Sequence, residues 1–160
     1  MKTAIVFYSM NGNTKFTAKT IASQTGADLI ELKPEKSYPD KGLRKFIWGG
    51  KSAVMGETPK LLPYEFDADK YDQIIFGYPV WASNFAPPIK TFIKDNMKQI
   101  AGKDFSVFAC CSGGGAEKSI DKLKNYLLIK DFKTSLVLID PKDKPKEENK
   151  NKIDNFISAI

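Results

Sequence analysis

Four small polar residues surround a glycine directly after the first apolar run of the chain. This loop reads Ser9-Met10-Asn11-Gly12-Asn13-Thr14, and a segment with helical periodicity follows it at once. Hydroxyl and amide groups at a helix N-terminus, with its free N–H groups and positive dipole end, suit a phosphate monoester. The Gly-x-x-x-x-Gly-Lys-Ser/Thr spacing of NTPase phosphate loops is missing. A helix cap by Asn13 alone would need only one such residue, so we favour phosphate binding.

Two later loops contain residue types that suit a flat ligand. The stretch 77–88 contains three aromatic residues, and a planar group could stack on Trp81. Trp81 could instead cover the core beneath the loop. The stretch 110–116 contains three consecutive glycines, which allow a ligand to approach the backbone closely; a flexible turn is the alternative, but three glycines are more than one turn requires. The three loops together predict a site for a phosphate-bearing planar molecule.

The composition excludes several kinds of catalysis. The 160 residues include no His, which rules out His-based acid–base catalysis, Ser-His-Asp and Cys-His nucleophiles and almost every catalytic zinc site. The two cysteines, Cys110 and Cys111, are adjacent and are interpreted as small core or loop residues, so no metal site is expected. Net charge is +6, but every basic residue except Arg44 is a Lys and these lie scattered, so no nucleic-acid binding is expected.

Apolar runs with strand character alternate with segments of helical periodicity. The predicted strands are 2–8, 27–32, 73–78, 105–111 and 135–140. The predicted helices are 13–25, with Phe16 on its apolar face, 87–100 and 116–128. A charged stretch, 142–152, is expected to hold a loop and the entry of a last helix, which Ile153, Phe156, Ile157 and Ile160 finish. One short helix is expected within 38–63. Strands that are apolar throughout indicate a sheet covered on both faces, hence a three-layer α/β fold in a single domain over residues 1–160.

The apolar runs are far too short to span a bilayer, so no membrane span is expected. Lys2 precedes a short apolar run without a small-residue cleavage site, so the N-terminus is interpreted as a strand and not as a signal peptide. The expected location is the cytoplasm.

These loops resemble those of the flavodoxin family, and the resemblance covers essentially the whole chain. The strongest similarity is loop 9–14, which resembles the family's Ser/Thr-x-Thr-Gly-Asn-Thr phosphate loop with Asn11 replacing one Thr. Trp81 stands where the family has a flavin-stacking aromatic residue, and 111–115 is the weakest match. The resemblance, to the short-chain branch, implies a flavodoxin-like five-stranded parallel sheet in order 2-1-3-4-5, helices on both faces, and FMN at the switch point.

The resemblance also implies which residues contact FMN. The first loop would bind the phosphate, the loop after the third strand would flank the isoalloxazine ring, and the loop after the fourth would follow its pyrimidine side. The expected cofactor-binding residues are Ser9, Met10, Asn11, Gly12, Asn13, Thr14, Pro79, Val80, Trp81, Ala82, Ser83, Asn84, Phe85, Cys111, Ser112, Gly113, Gly114 and Gly115. No catalytic side chain is implied, because the flavin carries the redox chemistry.

Three features depart from electron-carrying members of the family. Many carriers have a glycine where this chain has Ala82; its peptide turns over on reduction and stabilises the one-electron-reduced flavin, and Ala should weaken that effect by about 1 kcal/mol. Many carriers cover the other flavin face with a Tyr, whereas this chain has glycines at 113–115; Trp48 or Tyr78 could cover it instead. The three loops contain no Lys or Arg, which predicts few positive charges near the flavin and a low second potential.

The favoured function is therefore an FMN-binding electron-transfer flavoprotein that shuttles low-potential electrons between redox partners. The alternative is an FMN-dependent NAD(P)H:quinone or flavin reductase on the same fold. A third interpretation is a non-redox module that uses the crevice for another phosphate-bearing ligand or a protein partner. Because the chain is net +6, the expected redox partner proteins have acidic docking surfaces. We expect a monomer or weak dimer.

Overall fold

The fold is built on one sheet of five parallel strands in the order β2-β1-β3-β4-β5. A computed structural model describes residues 1–39, 51 and 55–160 of the chain. The strands are β1 (Thr3–Phe7), β2 (Asp28–Glu31), β3 (Gln73–Pro79), β4 (Asp104–Cys111) and β5 (Ser135–Ile139). The helices in the described residues are α1 (Asn13–Thr25), α2 (Pro87–Ile100), α3 (Ala116–Leu127) and α4 (Glu147–Ala159), with a 3-10 turn at Ala68–Lys70.

The observed elements confirm the predicted fold class and strand order, with one correction, which concerns Phe16. Helix α4 begins at Glu147, within the stretch 142–152 where the helix entry was expected; Glu147 and Glu148 lie in its first turn, where acidic side chains are favourable. Phe16 is 43% exposed, because α1 buries the polar Thr14 and Thr17 instead. Most of the segment for the short helix within 38–63, including Trp48, lies outside the described residues.

The core has two layers, one on each face of the sheet, because side chains alternate along every strand. One layer joins Val6 and Phe76 to α2 and α3, with the apolar side chains of Ile89, Phe92 and Leu123. The other layer packs α1 and α4 against the opposite face; its buried members are Ile5, Phe7, Ala18, Ile21, Ile75, Phe108, Cys110, Leu136, Leu138, Ile153 and Phe156. Strands covered on both sides explain the continuous apolar runs of the sequence.

This topology opens a crevice at the carboxyl end of the sheet. Strand β1 pairs with β2 on one side and β3 on the other, so the loops that leave β1 and β3 diverge. The loops that follow β4 and β5 begin at the same edge of the sheet. Four loops therefore meet there. No helix in the described ranges is both long and apolar enough to cross a membrane.

Candidate functional site: a cleft at the carboxyl ends of four strands

A cleft of about 280 Å³ lies between the loops that follow β1, β3, β4 and β5. Its lining residues are Ser9, Met10, Asn11, Asn13, Thr14, Pro79, Val80, Trp81, Ala82, Cys110, Cys111, Ser112, Gly113, Gly114 and Asp140. Of the residues expected from the sequence, all line the cleft except Gly12, Ser83, Asn84, Phe85 and Gly115. Cys110 and Asp140 were not expected there. We call residues 9–14 with 140–143 the α1 end, and residues 79–85 with 111–115 the turn end.

The loop after β1 leads directly into the N-terminus of α1. Gly12 precedes the helix with φ of 92° and, as a glycine, has no side chain that could cap it. The Oγ of Ser9 accepts a hydrogen bond from the backbone N–H of Lys15 at 3.1 Å, which draws the loop around the first turn. The remaining first-turn N–H groups have no acceptor within the helix, and they form the positive end of its dipole. This end of the cleft can therefore hold an anion with neutral donors.

Asn13 does not direct its side-chain amide to a free cradle as the sequence suggested. Its Oδ1 accepts from the backbone N–H of Lys142 at 2.8 Å, and its Nδ2 donates to the Asp143 carboxylate at 2.8 Å. The bond from Asn13, followed by that from Lys142, lowers the pKa of the Asp143 carboxyl. Asn13 thus connects the loop after β5 to the start of α1, across about 130 residues of sequence.

Lys142 brings a positive charge to the loop after β1. Its Nζ donates to the backbone carbonyl of Asn11 at 3.1 Å and pairs with Asp143 Oδ1 at 3.3 Å. A Cβ atom at Gly12 would stand 3.2 Å from the same Nζ. The three loops identified from the sequence contain no basic residue, but a fourth loop, after β5, brings one to the backbone of the loop after β1.

A two-residue turn shapes the opposite side of the cleft. The backbones of Trp81 and Asn84 exchange hydrogen bonds of 3.0 and 2.9 Å around Ala82 and Ser83. Ala82 and Ser83 have φ of 48° and 57°, as in a type I′ turn, which normally selects Gly, Asn or Asp. The Ala82 carbonyl accepts from Asn84 Nδ2 at 2.7 Å, and Asn84 Oδ1 accepts from Lys122 Nζ at 2.6 Å. Ala82 therefore already occupies the left-handed conformation whose cost we expected only on reduction.

Two tyrosine rings hold Trp81 at the rim of the cleft. Trp81 meets Tyr8 edge-on at a centroid distance of 5.6 Å and Tyr38 at 5.0 Å, and the two tyrosines meet each other at 6.0 Å. Burial, followed by the neighbouring Tyr38, raises the pKa of the Tyr8 hydroxyl, so it stays protonated at neutral pH. Such edge-to-face contacts fix ring orientation. Trp81 is thus supported at the cleft wall and partly exposed.

The other aromatic residues of this loop serve the core. Tyr78 is 0% exposed and its hydroxyl lies 3.2 Å from Ser119 Oγ, so it cannot cover a ligand in the cleft. Phe85 packs against the rings of Tyr78 and Tyr126 at 6.1 and 5.8 Å. Of the three aromatic residues that drew attention to this loop, only Trp81 reaches the cleft.

The loop after β4 is open in the middle and tightly packed at its end. Nothing lies within 4 Å of where a Cβ would stand at Gly113 or Gly114. At Gly115, with φ of 92°, a Cβ would lie 2.5 Å from Ser83 Oγ and 3.2 Å from Ser83 Cα. The two loops of the turn end therefore touch at this glycine, which also precedes α3.

Asp140 is the acidic side chain among the residues that line the cleft. It is 9% exposed; Oδ1 accepts from Ser112 Oγ at 2.8 Å, and Oδ2 pairs with Lys144 Nζ at 2.9 Å. Its backbone has φ of 41°. The sequence did contain a signal for Asp140, because this residue ends the last predicted strand and polar residues at the carboxyl ends of strands face the crevice. The three loops predicted to form the site follow the first, third and fourth strands, and Asp140 begins a fourth, after β5.

The fold and the cleft define a doubly wound α/β protein with its ligand site at the switch point. A family model described as flavodoxin matches residues 2–156, so the chain belongs to the flavodoxin family.

Three solved structures illustrate the shared fold. A flavoprotein from Lactobacillus acidophilus NCFM, crystallised in complex with FMN, has 22% identity over 97% of each chain and a TM-score of 0.73. Oxidised flavodoxin 1 from Bacillus cereus has 20% identity over 99% of this chain and 96% of that one, with a TM-score of 0.57. An FMN-dependent NADH-azoreductase from Bacillus anthracis str. Ames Ancestor, in complex with FMN, has 11% identity over 99% of this chain and 97% of that one, with a TM-score of 0.54.

Proposed function

We propose that residues 1–160 form one domain that binds FMN in this cleft and carries electrons between redox partner proteins. The observation that carries the proposal is the α1 end: a helix N-terminus preceded by a glycine at φ 92°, with the hydroxyl and amide groups of the neighbouring loop around its first turn. A Cβ at Gly12 would crowd Lys142, so glycine keeps this cradle open. Membership of the flavodoxin family, and the FMN bound to the L. acidophilus flavoprotein, support the same cofactor.

The remaining cleft residues suit the ring of FMN. Trp81 offers an aromatic surface at one wall, and Gly113 and Gly114 allow close approach of a flat group to the backbone. Bound FMN supplies the redox chemistry, and the protein binds and orients it. The chain contains no His, and the Asp140 carboxylate is engaged by Ser112 and Lys144. These features favour a carrier over an enzyme with its own acid–base group.

A reductase is the second candidate, because of the open loop at Gly113 and Gly114. Among the described residues nothing lies within 4 Å of a Cβ at either position, so a nicotinamide or quinone could reach the flavin from that side. The azoreductase with the same fold is a protein of this reductase type. The two candidates differ in whether the protein oxidises NADH or NADPH unaided.

An anaerobic reductive titration of the FMN-loaded protein tests the proposal. For a carrier we expect a long-wavelength absorbance band of one-electron-reduced flavin that rises and then falls, and no oxidation of NADH or NADPH without a second protein. Direct bleaching to fully reduced flavin together with unaided NADH oxidation would establish the reductase instead. A protein that takes up no FMN from excess would overturn both and favour a non-redox module.

The compartment and the partners follow from charge and cysteine chemistry. Cys110 and Cys111 are both unpaired and buried, which suits a reducing compartment, so we place the protein in the cytoplasm. With a net charge of +6, its partners should present acidic docking surfaces. Electron transfer to such a partner should then slow as ionic strength rises, which stopped-flow rates would check; a flat or rising dependence would contradict it.

A further inference from the structure

Lys142 stands over the loop after β1 although it follows β5. We propose that Lys142 is a phosphate-binding residue, and that its ammonium group makes the site selective for phosphorylated flavin over riboflavin. This inference rests on the FMN site proposed above. It adds a charged contact, from outside the three cofactor loops, to a cradle that otherwise offers neutral donors.

The position of the ammonium carries the argument. Lys142 Nζ lies 3.1 Å from the Asn11 carbonyl oxygen and 3.2 Å from where a Cβ would stand at Gly12, while Cδ and Cε lie 3.6 Å from that point. The side chain therefore crosses the backbone of Gly12, the residue that precedes α1. The positive charge and the positive end of the α1 dipole converge on the same loop.

The structure already places one anion beside this cation. A cation beside a helix N-terminus opposes the dipole, whose preference there is for negative charge. In the structure Asp143 offsets this unfavourable charge by pairing with Lys142 Nζ at 3.3 Å. A second N–H of the ammonium group donates to the Asn11 carbonyl oxygen. An ammonium group has three N–H donors, so these two acceptors leave it able to bind a phosphate oxygen as well.

The loop that carries Lys142 is anchored and does not rely on the ion pair alone. Asn13 Oδ1 accepts from the Lys142 backbone N–H at 2.8 Å, and Asn13 Nδ2 donates to Asp143 at 2.8 Å. The loop is held by a further hydrogen bond, in which the backbone N–H of Lys144 donates to the Asp140 carbonyl at 2.7 Å. The lysine backbone is thus pre-positioned, so its side chain pays little ordering cost when the phosphate arrives.

The test compares FMN with riboflavin, which lacks the phosphate, in wild type and K142Q. We expect K142Q to weaken FMN binding about tenfold, as lost charge-assisted hydrogen bonds do, and to change riboflavin binding less than about twofold. The FMN dissociation constant of wild type should also rise more steeply with salt than that of K142Q. Fluorescence quenching on titration of the apoprotein measures both ligands.

Two further variants separate the phosphate contact from other effects of the lost charge. K130Q removes an exposed lysine between α3 and β5 and should leave the FMN-to-riboflavin ratio unchanged, whereas K142R should restore most of it. K142Q/D143N removes both partners of the ion pair; if it regains wild-type FMN affinity, the effect of K142Q came from exposing Asp143 and the inference is overturned.

The failure of this inference is distinct from failure of the FMN site. If wild type and K142Q bind FMN and show the same ratio of FMN affinity to riboflavin affinity, the role of Lys142 is overturned and the proposed function stands. Wild type that binds neither ligand would overturn the proposed function, and the phosphate role of Lys142 with it.

Discussion

The two ends of the cleft are held together in different ways. At the α1 end, Asn13 and Lys142 contact across about 130 residues of sequence, through hydrogen bonds in good geometry. At the turn end the hydrogen bonds between Trp81 and Asn84 are local, and the two consecutive residues between them, Ala82 and Ser83, take positive φ, whereas at the α1 end only Asp140 does so among the described non-glycine residues. One end is cross-linked by tertiary structure, and the other is a strained turn resting on Gly115.

The difference matches what each end would do in an FMN protein. A phosphate keeps its charge whatever the redox state of the flavin, so its site benefits from rigid anchoring. The ring changes its protonation and hydrogen bonding on reduction, so residues beside it benefit from a backbone with more than one accessible conformation. Strain at positions such as Ala82 costs about 1 kcal/mol or more each and persists only where surrounding contacts impose it.

The largest expected effect comes from breaking the contact between the two loops of the turn end. G115A places a Cβ at 2.5 Å from Ser83 Oγ and forces alanine to φ 92°, so we expect a loss of about 2–3 kcal/mol in the free energy of unfolding. Urea denaturation of the apoprotein measures it.

G113A is the matched control for this variant. It adds the same methyl group two residues earlier, where nothing lies within 4 Å of the new atom and no positive φ is required. Its stability should change by less than about 1 kcal/mol, in the stabilising direction if at all, because alanine restricts the unfolded chain. Equal losses for both variants would show that the turn end does not depend on the Gly115 contact.

A smaller effect is expected from cutting the cross-link at the α1 end. N13A removes the hydrogen bonds to the Lys142 backbone and to the Asp143 carboxylate, and should lower the free energy of unfolding by about 1–2 kcal/mol. It should also weaken FMN binding, because the loop that carries Lys142 loses its anchor. N11A, at an exposed neighbour whose backbone carbonyl is retained, should leave apoprotein stability nearly unchanged. If N11A costs as much as N13A, the cross-link does not stabilise this end.

The effect that is smallest at neutral pH is a pH dependence from beneath the α1 end, which develops only in alkaline solution. Burial raises the pKa of the Cys110 thiol from its ordinary 9.0 to about 12, with Thr17 Oγ1 at 3.7 Å from its sulfur. Between these values the unfolded chain releases the proton and the folded one keeps it, so stability is full below pH 9 and falls as pH rises, by at most about 1.4 kcal/mol per unit.

The control for this dependence is C110S, which does not titrate in that range. Burial also raises the pKa values of Tyr8 and Tyr78, but those losses occur in both proteins and cancel in the difference. Unfolding midpoints at pH 8, 9, 10 and 11 should therefore diverge between wild type and C110S. Parallel curves would mean that Cys110 ionises in the folded protein as readily as in the unfolded chain.

Local patterns predicted most of the elements because their signals lie within a few residues. Helix α1 begins at Asn13 and ends at Thr25 as expected, since the polar loop and Gly26 mark its two ends. The start of α4 could be predicted only as lying within 142–152, because its first two turns are so rich in charge that the periodicity appears only from Ile153 onward. Phe16 was misplaced because an apolar residue in a helix need not face the sheet.

The sequence by itself determined the strand–helix alternation, the polar loop at the start of α1 and the aromatic residue at 81, because each depends on residue types close together in the chain. Only the tertiary structure decided that Asn13 faces the loop after β5, that Lys142 reaches the loop after β1, and that Gly115 supports Ser83. These contacts join segments that are distant in sequence. Their geometry depends on how parallel strands bring four carboxyl ends to one edge, which no local pattern records.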